Sequence, residues 1–264
     1  MHIRPRRATR RAFRALTDPV NVKSFFLTGL CLKGWAFAKF SLPTASREVV
    51  LDLKPLKLCV DIARVELISF WEIWHEHCYD AIAVEHPRCV VDVGANIGIF
   101  SLYEVMRKHA EQVVAFEPSP DVFQRLAKNI EINGIKNIRA VNAAVGDEPG
   151  TLSFAEGRMS VNGRVTGTGP LKVPCVRLDD ELRNVPSIDI LKIDTEGYEI
   201  HVLQGASETL KKTERIVLEL HYAGERQEIE AILSPLGFSL TTAYGDLVFY
   251  RKGTPSSASR APLQ

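Results

Sequence analysis

From residue 89 onward, hydrophobic positions fall alternately into short continuous runs and longer stretches of helical spacing. Residues 89–93 form an apolar run closed by Gly94, which predicts a buried strand. Residues 97–109 predict the helix after it, and 112–116 a second strand closed by Glu117-Pro118. Residues 121–132 have helical periodicity and end at Asn133-Gly134, a C-cap signal. Three more strands are predicted at 138–145, 188–193 and 215–220, with helices at 198–212 and 226–233. Residues 238–243 and 247–250, joined by Tyr244-Gly245-Asp246, predict a closing hairpin. Strands alternating with helices imply an α/β, doubly wound, Rossmann-like sheet, mostly parallel and covered on both faces, to which the hairpin adds an antiparallel C-terminal strand. The rhythm breaks between Val145 and Ile188, where Gly- and Thr-rich sequence surrounds strand-like pieces at 151–154 and 171–176. An insertion of this length is usually functional or disordered.

The flanks divide the chain into four zones. Residues 1–45 are a basic, then apolar, extension; 46–88 predict a small N-terminal cap; 89–252 are the main domain; 253–264 predict a disordered tail. Within the cap, 49–60 alternates enough for short strands and 68–79 spaces its aromatics helically. Hydrophobic residues make up 45% and charged residues 25%, as in soluble globular proteins. The formal net charge of +1 carries no nucleic-acid signature, so no nucleic-acid partner is expected. Charge is uneven, however: Arg4, Arg6, Arg7, Arg10, Arg11 and Arg14 precede any acid, and without them the remainder is −5. That arm predicts a disordered basic tail, with a transit-like peptide or a membrane-contacting helix on anionic lipid as weaker alternatives. The most apolar stretch, 25–40, is broken by Lys33 and Lys39 and is shorter than the roughly 20 residues a spanning helix needs. Five scattered cysteines without CxxC argue against a disulfide framework or zinc site and for a reducing, cytoplasmic setting. Cys89 and Cys175, within apolar runs, are expected as core residues.

Candidate chemistry gathers where the predicted strands end, since open parallel sheets bind ligands outside their carboxyl edge. After the first strand comes Asp92-Val93-Gly94-Ala95-Asn96-Ile97-Gly98. It is neither GxGxxG nor a P-loop, which points away from pyrophosphate and towards an uncharged or cationic ligand beside Asp92. Glu117, 23 residues beyond Gly94, is spaced to accept hydrogen bonds from two ribose hydroxyls; alternatively it favours the next helix's N-terminus. The small residues of Asn142-Ala143-Ala144-Val145-Gly146-Asp147 leave room for a flat ring. Asp194 and Glu196 end the fourth strand, where a carboxylate can orient a substrate hydroxyl or take its proton. The same acids suit a hard divalent cation, although no metal site is assigned. His221, after the fifth strand, faces the same rim and is the best-placed histidine for a general base. His75, His77 and His201 have weaker claims.

Taken in order, VDVGANIGIFS, AFEPSPDVFQRLAKNI, AVNAAVGD, DILKIDTEGYEIHVLQG and VLELH resemble the FkbM-type methyltransferases, with FWEIWHEHCYD similar to the segment before that family's first strand. The resemblance spans roughly residues 70–222, and Thr195 stands where valine is usual. It implies a class I methyltransferase sheet with a reversed last strand, the cofactor S-adenosyl-L-methionine, and O-methylation of a hydroxyl on a sugar or other small natural product. By motif position, Asp92, Gly94, Asn96 and Gly98 would line the methionine side, and Glu117 would hold the ribose. Asn142 and Ala143 would lie near adenine, and Asp194 near the cofactor's amino group or the acceptor. Asp194, Glu196 and His221 are the catalytic candidates. Two other readings stay open: a non-catalytic methyltransferase-like module recruited by the Arg-rich arm, and a nicotinamide-dependent oxidoreductase, against which the missing GxGxxG counts. NPPY, expected for amino methylation of bases, is absent. The acceptor is not legible, nor is the oligomeric state; residues 46–88 and 156–170 are the expected specificity elements, the latter as a lid.

Overall fold

The computed structural model describes residues 48–61, 64, 66–157 and 163–253. The basic extension 1–45, residues 254–264 of the tail and 158–162 of the insertion lie outside the described residues.

The chain opens with an antiparallel hairpin, β1 (Glu48–Asp52) and β2 (Lys57–Asp61). A short helix, α1 (Leu67–Phe70), runs into a π-helical turn at Trp71–His75. The main sheet follows as β3 (Cys89–Val93), α2 (Ile99–Met106), β4 (Gln112–Phe116), α3 (Pro120–Ile132) and β5 (Ile138–Val141). It resumes after the insertion with β10 (Ile188–Ile193), α5 (Glu199–Gln204), α6 (Ser207–Lys211) and β11 (Thr213–Glu219). It closes with α7 (Glu225–Leu233), β12 (Phe238–Tyr244) and β13 (Leu247–Lys252). The seven strands lie in the order β12-β13-β11-β10-β3-β4-β5. β3, β4, β5, β10 and β11 are parallel, and β13 pairs antiparallel to β11. This is the mostly parallel sheet with a reversed final strand that the resemblance implies. Strand order reverses between β3 and β10, so the crevice opens at their carboxyl ends.

The core follows from side-chain alternation. Val90 of β3 points into one cluster, with Phe100, Leu102, Val113 and Val217; Val91 and Val93 point into the other, with Val114, Leu191, Ile193 and Leu203. Burial of each such side chain contributes about 1.5–3 kcal/mol. Leu58, Val60, Ile73 and Tyr79 of the N-terminal segment belong to the first cluster, so that segment completes one face of the main sheet.

Three local expectations change. The strand expected over 138–145 is two: β5 leaves the main sheet at Val141, and β6 (Ala144–Val145) joins a second sheet. The break falls at Asn142, whose Nδ2 donates to the carbonyls of Glu117 (2.8 Å) and Pro118 (3.2 Å). The helix expected over 198–212 divides at Gly205, where a Cβ would lie 2.0 Å from the Gly146 carbonyl oxygen. The insertion carries β7 (Gly150–Ala155), β8 (Arg164–Val165) and β9 (Leu171–Val176), then a single turn, α4 (Leu178–Glu181). Its sheet has the order β6-β9-β7-β8 and packs around Ala144, Phe154 and Val173.

Candidate functional site

At the crevice the first loop is held from below by a buried lysine. Lys192 Nζ donates to the Gly94 carbonyl at 2.8 Å and pairs with Asp92 at 3.1 Å and, more distantly, with Asp194 at 3.7 Å. Burial works against its ammonium, but the Asp92 and Asp194 carboxylates outweigh that and hold its pKa above the usual lysine value. Asp92 is fully buried and also accepts from Ser101 Oγ at 2.7 Å. Asp92 is therefore committed to the interior. Gly94 has φ +76°, and a Cβ there would fall 1.8 Å from the Asp194 carbonyl oxygen, so only glycine lets the two loops close up.

Glu117 ends β4 on the other side of the crevice. Its Oε2 accepts from the Asn96 backbone N–H and its Oε1 from that of Ser119, both at 2.9 Å. Burial pushes its carboxyl up to about 7; the two N–H donors and Lys192 only partly oppose that shift. A carboxylate has about four acceptor sites. Two bonds leave Glu117 under-satisfied, which fits a pair of further hydroxyl donors. Asn96 has φ +52° and its Oδ1 accepts from the Ile97 N–H, while the Gly98 N–H donates to the Ala95 carbonyl just before α2. Asn142 braces the Glu117 loop through its side chain, and Ala143 is buried beside it. Ser119 Oγ donates to Glu156 of the insertion at 2.6 Å, and Glu156 pairs with Arg64 at 3.3 Å.

A second group lies at the ends of β10 and β11. His221 Nε2 stands 3.5 Å from Glu196 Oε2 and 3.9 Å from Asp194 Oδ1, and Nδ1 stands 3.2 Å from Glu199 Oε1. Burial opposes a charged ring, but Glu199, then Asp194 and Glu196, raise the His221 pKa above its ordinary value. In return His221 holds the buried Glu199 carboxyl below the usual range, against its desolvation. Glu199 also accepts from the Thr195 N–H (2.8 Å), the Thr195 hydroxyl (3.0 Å) and the Gly197 N–H (3.2 Å). Glu219 completes the group; Asp194's negative charge, then burial, raises its carboxyl pKa. Asp194, Glu219 and His221 each offer one ligand atom, all within 4.8 Å of one another.

The predicted residues thus fall into two sets. Gly94, Asn96 and Glu117 are joined by hydrogen bonds and close contact on one side; Asp194, Glu196 and His221 converge on the other. Lys192, Glu199 and Glu219 were not singled out from the sequence. The one legible signal was Lys192, a basic residue in a largely apolar strand two positions before Asp194. Of the other histidines, His75 stacks on Trp71, His77 meets the Tyr103 hydroxyl and His201 pairs with Asp147. The described cysteines are free, with Cys89 and Cys175 buried, and among the described residues no helix is long and apolar enough to cross a membrane.

The family model described as the Methyltransferase FkbM domain matches residues 92–240. Methyltransferase sdnD of Sordaria araneosa is 30% identical over 220 residues, covering 68% of this chain and 85% of that protein. The 31-O-demethyl-FK506 methyltransferase FkbM of Streptomyces tacrolimicus is 31% identical over 209 residues, covering 64% of this chain and 80% of its own. Hexuronic acid methyltransferase AglP of Haloferax volcanii is 28% identical over 154 residues, covering 57% and 63%. None of these matches favours a nicotinamide-dependent oxidoreductase or a non-catalytic module.

Proposed function

The chain belongs to the FkbM methyltransferase family, and on that premise we propose that it transfers a methyl group from S-adenosyl-L-methionine to a hydroxyl of a sugar or other small natural product. The carrying observation is the placement of Glu117 and the Asp194–Glu196–His221 group on opposite sides of the Gly94 loop. Glu117 would hold the ribose hydroxyls with its spare lone pairs. The Gly94–Gly98 loop would take the methionine side, with Asp92 acting through Lys192, and Asn142 and Ala143 would border the adenine. S-adenosylmethionine supplies a methyl on a sulfonium, which leaves readily and needs no further activation.

The chain's own work is to align the acceptor oxygen and remove its proton. Asp194 is more exposed than Glu196 or His221, so it is the residue that meets the acceptor hydroxyl: it accepts that hydrogen bond and takes the proton. His221, held by Glu199, balances the charge of Asp194 and Glu196. The relatives named for a hexuronic acid and for 31-O-demethyl-FK506 support an oxygen acceptor.

Titration calorimetry with S-adenosylmethionine tests the cofactor side. Wild type should bind in the micromolar range, and Glu117→Ala should weaken binding at least tenfold, roughly 1.4 kcal/mol. A folded wild type that binds none, with no copurified cofactor, overturns the reading. On the acceptor side, Asp194→Asn should leave that affinity within about threefold and lower turnover by roughly 10²–10⁴.

A further inference from the structure

We propose that Asp194, Glu219 and His221 Nε2 form a binding site for one divalent cation of the Mn²⁺ type. The three ligand atoms lie within 4.8 Å of one another at the ends of adjacent strands. Two ligands about 2.1 Å from a shared ion stand roughly 3.0–4.2 Å apart for angles between 90° and 180°. The separation of His221 Nε2 from Asp194 Oδ1, 3.9 Å, falls inside that window.

The independent observation is the histidine itself. Its side chain is only 7% exposed, yet Nε2 makes no hydrogen bond and is aimed at carboxylates. Nδ1 faces Glu199, a fully buried carboxylate, which favours keeping a proton on that nitrogen, so Nε2 is the nitrogen that would give up its proton to a metal. In the ion-free protein a second proton on the ring balances those acids, and a divalent cation would displace it. At 3.5 and 3.9 Å the gap is too long for a proton-mediated hydrogen bond. It suits a metal ion. A carboxylate on the far nitrogen is also the usual orienting partner of a ligating imidazole, and Glu199 occupies that place. One imidazole with two carboxylates favours an intermediate cation over Mg²⁺ alone or Cu²⁺.

The purpose of such a site rests on the methyl-transfer reading: a cation beside Asp194 would draw in the acceptor oxygen and lower its pKa. Its existence is tested without activity. The full chain is stripped with EDTA, and Mn²⁺ binding is followed by electron paramagnetic resonance, with S-adenosylmethionine affinity and thermal unfolding measured on the same samples. One Mn²⁺ per chain is expected, weakened at least tenfold in both Glu219→Gln and His221→Gln. Pulsed spectra should show imidazole nitrogen coupling that His221→Gln abolishes. Absence of saturable Mn²⁺ binding, or binding indifferent to both folded variants, overturns the site. Should His221→Gln not fold, Glu219→Gln and the wild-type nitrogen coupling decide. S-adenosylmethionine binding without Mn²⁺ binding sinks this inference alone; Mn²⁺ binding without S-adenosylmethionine binding sinks the methyltransferase reading and leaves the site standing.

Discussion

Glu117 shows how one side chain links burial to binding. Its carboxyl sits at about 7, raised first by burial, with two backbone N–H groups and Lys192 opposing and buried Asp92 reinforcing. Between the unfolded carboxyl pKa of about 4.3 and 7, the folded state therefore binds more protons than the unfolded one. Stability of the ligand-free protein from this group thus falls as pH rises through that window. Cofactor affinity should run the other way. A protonated Glu117 must release its proton to accept two hydroxyls, so binding weakens below pH 7, approaching tenfold per pH unit. Calorimetry between about pH 5.5 and 8.5 should show that slope in wild type and a flat profile in Glu117→Gln. The position of Glu117 was legible from its spacing after Gly94. Its second set of partners was not, because Asn96 and Ser119 act through backbone N–H groups that any residue carries.

Among the elements, strands were easier to read than their ends. β3, β4 and β10 carry apolar runs that can only be interior, and the structure uses them so. The α5–α6 pair illustrates the limit. Its sequence has continuous helical spacing, but the chain breaks where Gly205 packs on Gly146, a contact 59 residues away along the chain. Gly205→Ala should cost about 1–3 kcal/mol through that clash. Urea unfolding would read it as a lower midpoint at unchanged slope. A variant as stable as wild type would mean the loop before β7 yields freely. The insertion follows the same logic: β7 and β9 were visible as short apolar pieces, whereas β6 was concealed in the expected third strand because its partner, β9, lies about 30 residues on.

For the whole molecule the joint between the N-terminal segment and the sheet is decisive. Arg125 of α3 is buried and reaches Glu66 at 3.1 Å, Asp121 at 3.1 Å and Glu48 at 3.4 Å. Asn129, a turn further on, accepts from the Cys59 N–H at 2.6 Å and donates to the Cys59 and Ile97 carbonyls. Arg125→Ala leaves the Glu66 carboxylate buried without its partner, a loss of about 3–5 kcal/mol. Hydrogen exchange should show β2 amides losing protection while β3 and β10 keep theirs. Uniform loss would instead mean that hairpin and sheet unfold as one unit.

What the sequence determined by itself was the architecture and the rim. Buried parallel strands must be apolar, turns that approach closely must be glycine, and carboxyl-end positions follow from strand order, so Gly94, Glu117, Asp194, Glu196 and His221 could be named from pattern and motif. What only the tertiary structure decided was the company those residues keep. Lys192 beneath the Gly94 loop, Glu199 behind His221 and Glu219 beside Asp194 come from different elements, and the first cluster merges the N-terminal segment with the sheet. Such contacts depend on distances across strands and loops, and no local period records them. The electrostatics of His221 and the cation site inferred beside it therefore belong to the fold, whose packing brings Asp194, Glu196, Glu199, Glu219 and Glu225 around one buried ring.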